Sequence, residues 1–319
     1  MQRRTWRWVA RTGVLTVVLA LPAAAQAVTA PVARTGGAAN IAQQSARPTG
    51  SVNPNGGTTT YQFQFGTTTA YGSVTPEATV GGTGKKTVTA DVTGLAPATT
   101  YHYRLIARND KGLSKGADRT FKTKVQPLGV SFAANPNPQP FGGTTTLSGQ
   151  LTGTGNGGRE VVLQSNPFPY TQGFKDDGNR LVTDAQGNFT FGLRQLPFNT
   201  QFRVTLPDKP SVVSPIVVVS VQPRISVRLG TRRVHRGHKL TFAGSITPAI
   251  DGTPVAIQKK RGTAWVTVAG TVAHHHDSGS STFNKKVRIS RGGTYRVYAG
   301  VANGSLVPNA GREITIRTM

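Results

Sequence analysis

Cysteine is absent from the 319 residues. That excludes disulfides, thiolate metal sites and cysteine nucleophiles. Carboxylates are scarce: 12 Asp plus Glu stand against 37 Lys plus Arg, and Glu77, Glu160 and Glu313 are the only glutamates. Acid–base catalysis by paired carboxylates therefore has little material to work with. No apolar run of bilayer-spanning length, about 20 residues, follows Ala27, so no transmembrane anchor is expected after leader cleavage. Helical hydrophobic periodicity is missing as well. What is abundant is turn chemistry (38 Gly and 20 Pro) and positive charge, net +25.

Residues 1–27 read as a signal peptide. Arg3, Arg4, Arg7 and Arg11 precede the apolar stretch Gly13 to Leu21, Pro22 breaks it, and Ala25-Gln26-Ala27 supplies small residues for cleavage. Arg3-Arg4 leaves Sec and twin-arginine export both open. Export to the extracellular space or cell envelope is the expected localisation. Residues 28–39, rich in small side chains, read as a linker.

Beyond the linker, β-branched and aromatic runs alternate with Gly/Pro/Asn/Thr punctuation. Tyr61 to Phe65, Thr87 to Val92 and Tyr101 to Ile106 each alternate with period 2. Such spacing predicts an all-β chain of tandem sandwiches behind a signal helix. Breaks near Lys124 and near Gln222-Pro223 divide it into residues 40–124, 125–221 and 222–319. The last two look like divergent copies, offset by about 94 residues. Gly143-Thr-Thr-Thr-Leu-Ser-Gly149 matches Gly237-His-Lys-Leu-Thr-Phe-Ala-Gly244. Val161-Val-Leu-Gln164 matches Val255-Ala-Ile-Gln258, and Thr200-Gln-Phe-Arg-Val204 matches Thr294-Tyr-Arg-Val297. A repeat of one whole domain predicts beads on a string.

The stretch Gly94-Leu95-Ala96-Pro97-Ala98-Thr99-Thr100-Tyr101, followed by Arg104-Leu105-Ile106-Ala107-Arg108-Asn109, resembles the fibronectin type III domain over about residues 40–124. The resemblance implies a corner tyrosine at Tyr101, with its ring buried and its hydroxyl bonded to backbone upstream, and Tyr103, Leu105 and Ala107 on the same face. Gly66 to Gly72 resembles a hairpin of bacterial members of that family. The tryptophan usual in the early strands is missing, and no Arg-Gly-Asp occupies the loop Asn109 to Lys115. Residues 125–319 resemble two bacterial immunoglobulin-like repeats. Thr183-Asp-Ala-Gln-Gly187-Asn-Phe189-Thr-Phe191 carries the hairpin signature, with Gly187 expected at positive φ. Adhesion, spacing and accessory binding are what such modules imply.

Motifs for chemistry do not survive their context. Gly112-Leu-Ser-Lys-Gly116 lacks the strand-to-helix turn of a nucleophile elbow and is expected to be a loop between strands. Gly153 to Gly158 and Gly81 to Lys86 have no helix behind them to receive a phosphate. No cofactor and no catalytic residue is assigned. Whether Asp176, Asp177 and Asp184, or the cluster His274-His275-His276, bind metal is left open by the sequence. The histidines are expected on a loop, because neighbouring strand residues point to opposite faces.

Charge is the main functional signal. Residues 222–319 hold 16 basic and 3 acidic side chains, net +13. The stretch Arg224 to Lys239 alone contains Arg224, Arg228, Arg232, Arg233, Arg236 and Lys239. This implies attraction to anionic cell-wall or extracellular polymers by charge, without nucleic-acid sequence recognition. The expected contacts are Arg232, Arg233, Arg236, Lys259, Lys260, Arg261, Lys285, Lys286 and Arg288. Trp265 is the candidate carbohydrate contact under an alternative reading as a carbohydrate-binding accessory protein. A third reading is an enzyme whose site carries no recognisable motif.

Overall fold

The computed structural model describes residues 27–319, so the expected signal helix lies outside the described residues. Among the described residues there is no helix, and the chain divides into two compact units at Lys124 and Val125. The architecture is all-β, built of immunoglobulin-like sandwiches.

The first unit contains β1 (Val32–Ala39), β2 (Ser45–Asn53), β3 (Thr59–Gly66), β4 (Ser73–Val74), β5 (Ala78–Val80), β6 (Lys86–Thr89), β7 (Val92–Thr93), β8 (Thr100–Asn109), β9 (Gly112–Lys115) and β10 (Arg119–Lys122). One sheet runs β1-β2-β6 with β7 on β2. The other runs β10-β8-β3-β4, with β5 on β3 and β9 on β8. Alternation in β8 sends Tyr101, Tyr103, Leu105 and Ala107 inward against Val52 and Phe63. The Tyr101 hydroxyl accepts the Ala96 N–H at 2.9 Å, and Leu95 is buried at that corner. These are the contacts the fibronectin-type resemblance implies.

Two expectations for this unit need correction. Residues 28–39 are not simply a linker, because Val32–Ala39 is an integral strand paired with β2 from Val32↔Asn53 to Ala39↔Arg47. Its inward positions, Ala33 and Thr35, are small because Tyr103 and Leu105 fill the space opposite. The Thr35 hydroxyl accepts the Leu105 N–H, and the Tyr103 hydroxyl donates to the Gly36 carbonyl. With its one large apolar residue, Val32, exposed and only small side chains facing inward, the strand leaves no hydrophobic period to read. Likewise Gly112–Lys115 is a strand rather than a loop, and its Ser114 hydroxyl accepts the Ala33 N–H.

The second unit opens with β11 (Gly129–Asn135), β12 (Gln139–Pro140), β13 (Thr144–Thr152), β14 (Glu160–Pro167), β15 (Lys175–Val182), β16 (Asn188–Arg194), β17 (Thr200–Thr205), β18 (Val217–Val219) and β19 (Val221–Gln222). Sheets β11-β13-β16 and β15-β14-β17-β18 enclose Leu147, Leu151, Leu163, Phe202 and Val204. Gly187 sits at φ 86°, and Phe189 and Phe191 both turn inward from the hairpin it permits.

The same unit continues with β20 (Arg224–Arg228), β21 (Arg233–Val234), β22 (Lys239–Thr247), β23 (Pro254–Arg261), β24 (Ala264–Val272), β25 (His274–Asp277), β26 (Ser280–Arg288), β27 (Gly293–Ala299), β28 (Asn309–Ala310) and β29 (Ile314–Thr318). Sheet β20-β22-β26-β25 faces sheet β21-β29-β27-β23-β24 across Phe242, Ile246, Ile257, Phe283 and Val297. The copy relation extends to packing. A Cβ added at Gly149 would lie 2.5 Å from the Phe189 ring, and one at Gly244 would lie 2.5 Å from the Phe283 ring. In both sandwiches a phenylalanine on the neighbouring strand lies over a glycine.

These two sandwiches are not separate beads. Val221, Val301 and Leu306 form a small buried core of their own, with Phe141, Leu196 and Ile250 packed around it. Asn199 stitches the joint. Its side-chain N–H donates to the Gly304 carbonyl at 2.8 Å, and its side-chain oxygen accepts the Val221 N–H at 2.8 Å. Its backbone N–H reaches the Ser305 carbonyl, and Val307 N–H reaches the Val221 carbonyl.

Candidate anion-binding face

Strand parity decides where the cations of the third sandwich point. In β20, Ile225 and Val227 pack inward, so Arg224, Ser226 and Arg228 face solvent. In β22, Leu240, Phe242 and Ile246 are buried, which turns Lys239, Thr241, Ala243 and Ser245 outward. In β26, Phe283 and Val287 are inward and Thr282, Asn284, Lys286 and Arg288 outward. The outer face of this sheet thus gathers Arg224, Arg228, Lys239, Lys286 and Arg288, all exposed. Lys239 stands directly opposite Arg288 in the ladder. Like charges in that relation repel across about 5 Å. Among the described residues, none of the five has a carboxylate within ion-pairing distance.

The face is concave towards its β25 edge. A groove of about 530 Å³ has Ser226, Ala243, Ser245 and Thr282 on its floor. Arg228 stands on one side, and His274, His276 and Asp277 on the other. The expectation that the three histidines lie on a loop is corrected here. His274–Asp277 is a strand, with His274 opposite Thr282. Alternation therefore separates them. His274 and His276 face the groove, whereas the His275 ring bonds the Asp251 carboxylate at 3.1 Å. The other Asp251 oxygen accepts the Ser281 hydroxyl at 2.5 Å. That hydrogen bond, with His275 beside it, holds Asp251 below the ordinary carboxylate range.

The nine cations singled out in the sequence do not form one site. Lys286 and Arg288 lie on the face just described, while Lys285 shares the inward side of β26 with Phe283 and Val287, half-buried. Lys259, Lys260 and Arg261 belong to β23 of the opposite sheet. The Lys259 ammonium donates to the Arg291 carbonyl at 2.6 Å beside the Tyr295 ring, and burial, with Arg261 and Arg291 nearby, lowers its pKa. Lys260 is 3.6 Å from Glu313. Arg232 and Arg233 run beside β29, where Arg233 pairs with Arg317, and Arg236 lies in the following turn. Arg224, Arg228 and Lys239 were visible in the sequence only as charge. The signal that places them is the period-2 alternation of their strands.

Trp265 has a structural partner set. The Arg296 guanidinium lies 4.2 Å from its ring centre, and Arg296 donates to the Gln258 side-chain oxygen at 2.8 Å. The same clamp recurs in the other sandwiches. Arg104 stacks on Tyr71 and bonds Gln64, and Arg203 stacks on Phe174 and bonds Gln164. Each Gln–Arg pair is a direct cross-strand pair. Trp265 is thus the third member of a repeated packing unit.

The aspartates do not converge either. Asp176 pairs with Arg180, Asp177 accepts from Asn179 and Ser165, and Asp184 accepts from the backbone and side chain of Asn188. Among the described residues, no cluster of three or more His, Asp or Glu is placed to hold a metal ion.

No protein-family model matches the chain, and no curated protein matches it. Solved structures that match include the FN1–FN3 domains of chicken CNTN1, at 14% identity and TM-score 0.31 over 90% of this chain and 99% of that one. A tetra-tandem repeat from the extending region of a large adhesion protein matches at 15% identity and TM-score 0.30, over 92% and 75%. Three titin domains match at 12% identity and TM-score 0.36, over 91% and 99%.

Proposed function

We propose that this chain is an exported, non-enzymatic spacer and binding protein whose third sandwich attaches to anionic polymers of the cell wall or extracellular space. The observation that carries this is the outer face of the β20-β22-β26-β25 sheet, where five exposed cations stand without a carboxylate partner among the described residues and two of them oppose each other. A polymer with closely spaced negative charges relieves that repulsion and releases its own counterions. Recognition is by charge density, so it carries no sequence readout. The first two sandwiches serve as spacer or interaction modules.

The test uses the full chain and a single-stranded homopolymeric oligonucleotide as a generic polyanion. Five contacts at about 0.7 counterions each predict a roughly 100-fold loss of affinity between 50 and 200 mM salt. Retention on isolated cell wall should fade by about 0.5 M salt. The double variant Arg228→Gln/Lys286→Gln should flatten the salt slope by about 1.4. Absence of retention at low salt, or a slope untouched by those changes, defeats the reading.

A further inference from the structure

We infer that the His274–His276 edge of the groove makes this face a pH-gated anion site, holding its polymer more tightly in mildly acidic surroundings. The inference rests on the proposed polyanion reading and adds its regulation.

His274 stands opposite Thr282 on the groove side of β25, and the bulge between His275 and Asp277 brings His276, with Asp277 beside it, to the same wall. Their rings stand across a floor of small hydroxyl and methyl groups from Arg228, so an anionic group entering the groove meets a guanidinium on one side and two imidazoles, with the Asp277 carboxylate, on the other. The Ser226 and Ser245 hydroxyls bond each other at 2.9 Å, which leaves one of their two hydrogens to donate to the anion's oxygens, and Thr282 also lines the groove. The charged neighbours of the pair are few. β20 supplies Arg228, and β22 and β26 present only the uncharged Ala243, Ser245, Ser280, Thr282 and Asn284. Asp277 lies 3.8 Å from the His276 ring, and Asp251 on the far side of β25 is already bonded to His275 and Ser281.

In the empty groove, Arg228 works against a second and third positive charge. A bound anion reverses that balance, so protonation and binding favour each other. An imidazole takes up a proton, and with it a positive charge, on going from neutral to mildly acidic surroundings. Two weakly attractive surface charges gained over that range correspond to about a fivefold tightening.

The probe is dextran sulfate, whose sulfate esters stay ionised throughout, so any pH dependence belongs to the protein. Binding to the full chain is measured at pH 5.5 and 7.5 at fixed salt. The expected affinity ratio is about five for the natural chain and about one for His274→Asn/His276→Asn. His235→Asn/His238→Asn, which flank the Arg236-Gly237 turn and do not line the groove, should keep the ratio. NMR titration should show the His274 and His276 pKa values rising on saturation with dextran sulfate. If the double variant fails to fold, judged by Trp265 emission, His274→Asn alone should halve the ratio or better. A ratio that persists without both histidines overturns the inference. So does a natural ratio near one with salt-sensitive binding intact, which leaves the polyanion reading standing. No binding at either pH removes both.

Discussion

Removing one buried side chain from the second sandwich should be felt by the third. Leu163 has no exposed surface and sits in the core of the second sandwich. Leu163→Ala should cost about 2–5 kcal/mol there. Trp265 reports on the third sandwich, since the other two tryptophans, Trp6 and Trp8, lie in the segment expected to be a signal peptide, outside the described residues. If the joint around Val221, Val301 and Leu306 couples the two, the denaturant midpoint followed by Trp265 emission falls with Leu163→Ala, although that substitution touches nothing in the third sandwich. Asn199→Ala supplies the control. It strands the Gly304 carbonyl and the Val221 N–H, at about 1–3 kcal/mol each. In that background the Leu163→Ala shift of the Trp265 transition should shrink towards zero. A Trp265 midpoint indifferent to Leu163→Ala in the natural joint refutes the coupling.

Other outcomes follow from single contacts. Tyr101→Phe removes the bond to the Ala96 N–H and should lower first-sandwich stability by about 1–2 kcal/mol, read by amide exchange in β8. Gly244→Ala drives a Cβ against the Phe283 ring and the Ser226 carbonyl, and should cost about 1–3 kcal/mol in denaturant titration followed by Trp265. Asp118 is held below the ordinary carboxylate range by its hydrogen bond from His102, then by that from Tyr71. A depressed carboxylate stabilises the fold above its unfolded pKa and loses that effect as pH falls through the folded one. Asp118→Asn should therefore weaken β3 and β8 exchange protection near neutrality, with the gap closing well below about pH 4. Trp265→Ala should lower third-sandwich stability, followed by far-ultraviolet circular dichroism. It should leave the salt slope of polyanion binding in place.

Much of the fold was legible because large side chains alternate along single strands. Tyr101, Tyr103 and Leu105 in β8, and Phe189 and Phe191 in β16, announce their inward faces without help from distant residues. β1 was not legible, since Ala33 and Thr35 are sized to neighbours about 70 residues away. The joint was equally hidden. Its apolar residues at 141, 196, 221, 250, 301 and 306 have no common period and meet only after both sandwiches form. For the cationic face, charge counting singles out the sandwich that carries it, whereas the run Lys259-Lys260-Arg261 lies on the opposite sheet and the face is built from residues spaced two or four apart on separate strands. The histidines illustrate the opposite error. Three in a row suggested one cluster on a loop, and a strand splits them two against one.

The recurring Gln–Arg–aromatic clamp has a consequence for neighbouring molecules. In each sandwich the aromatic sits on or beside a sheet's outermost strand, β4, β15 or β24, while its arginine is anchored two strands further in. A margin pinned in this way resists peeling, and an unpeeled margin offers a poor template for strand addition by another copy. Three such rivets along one chain let related β-modules crowd together without zipping into fibres.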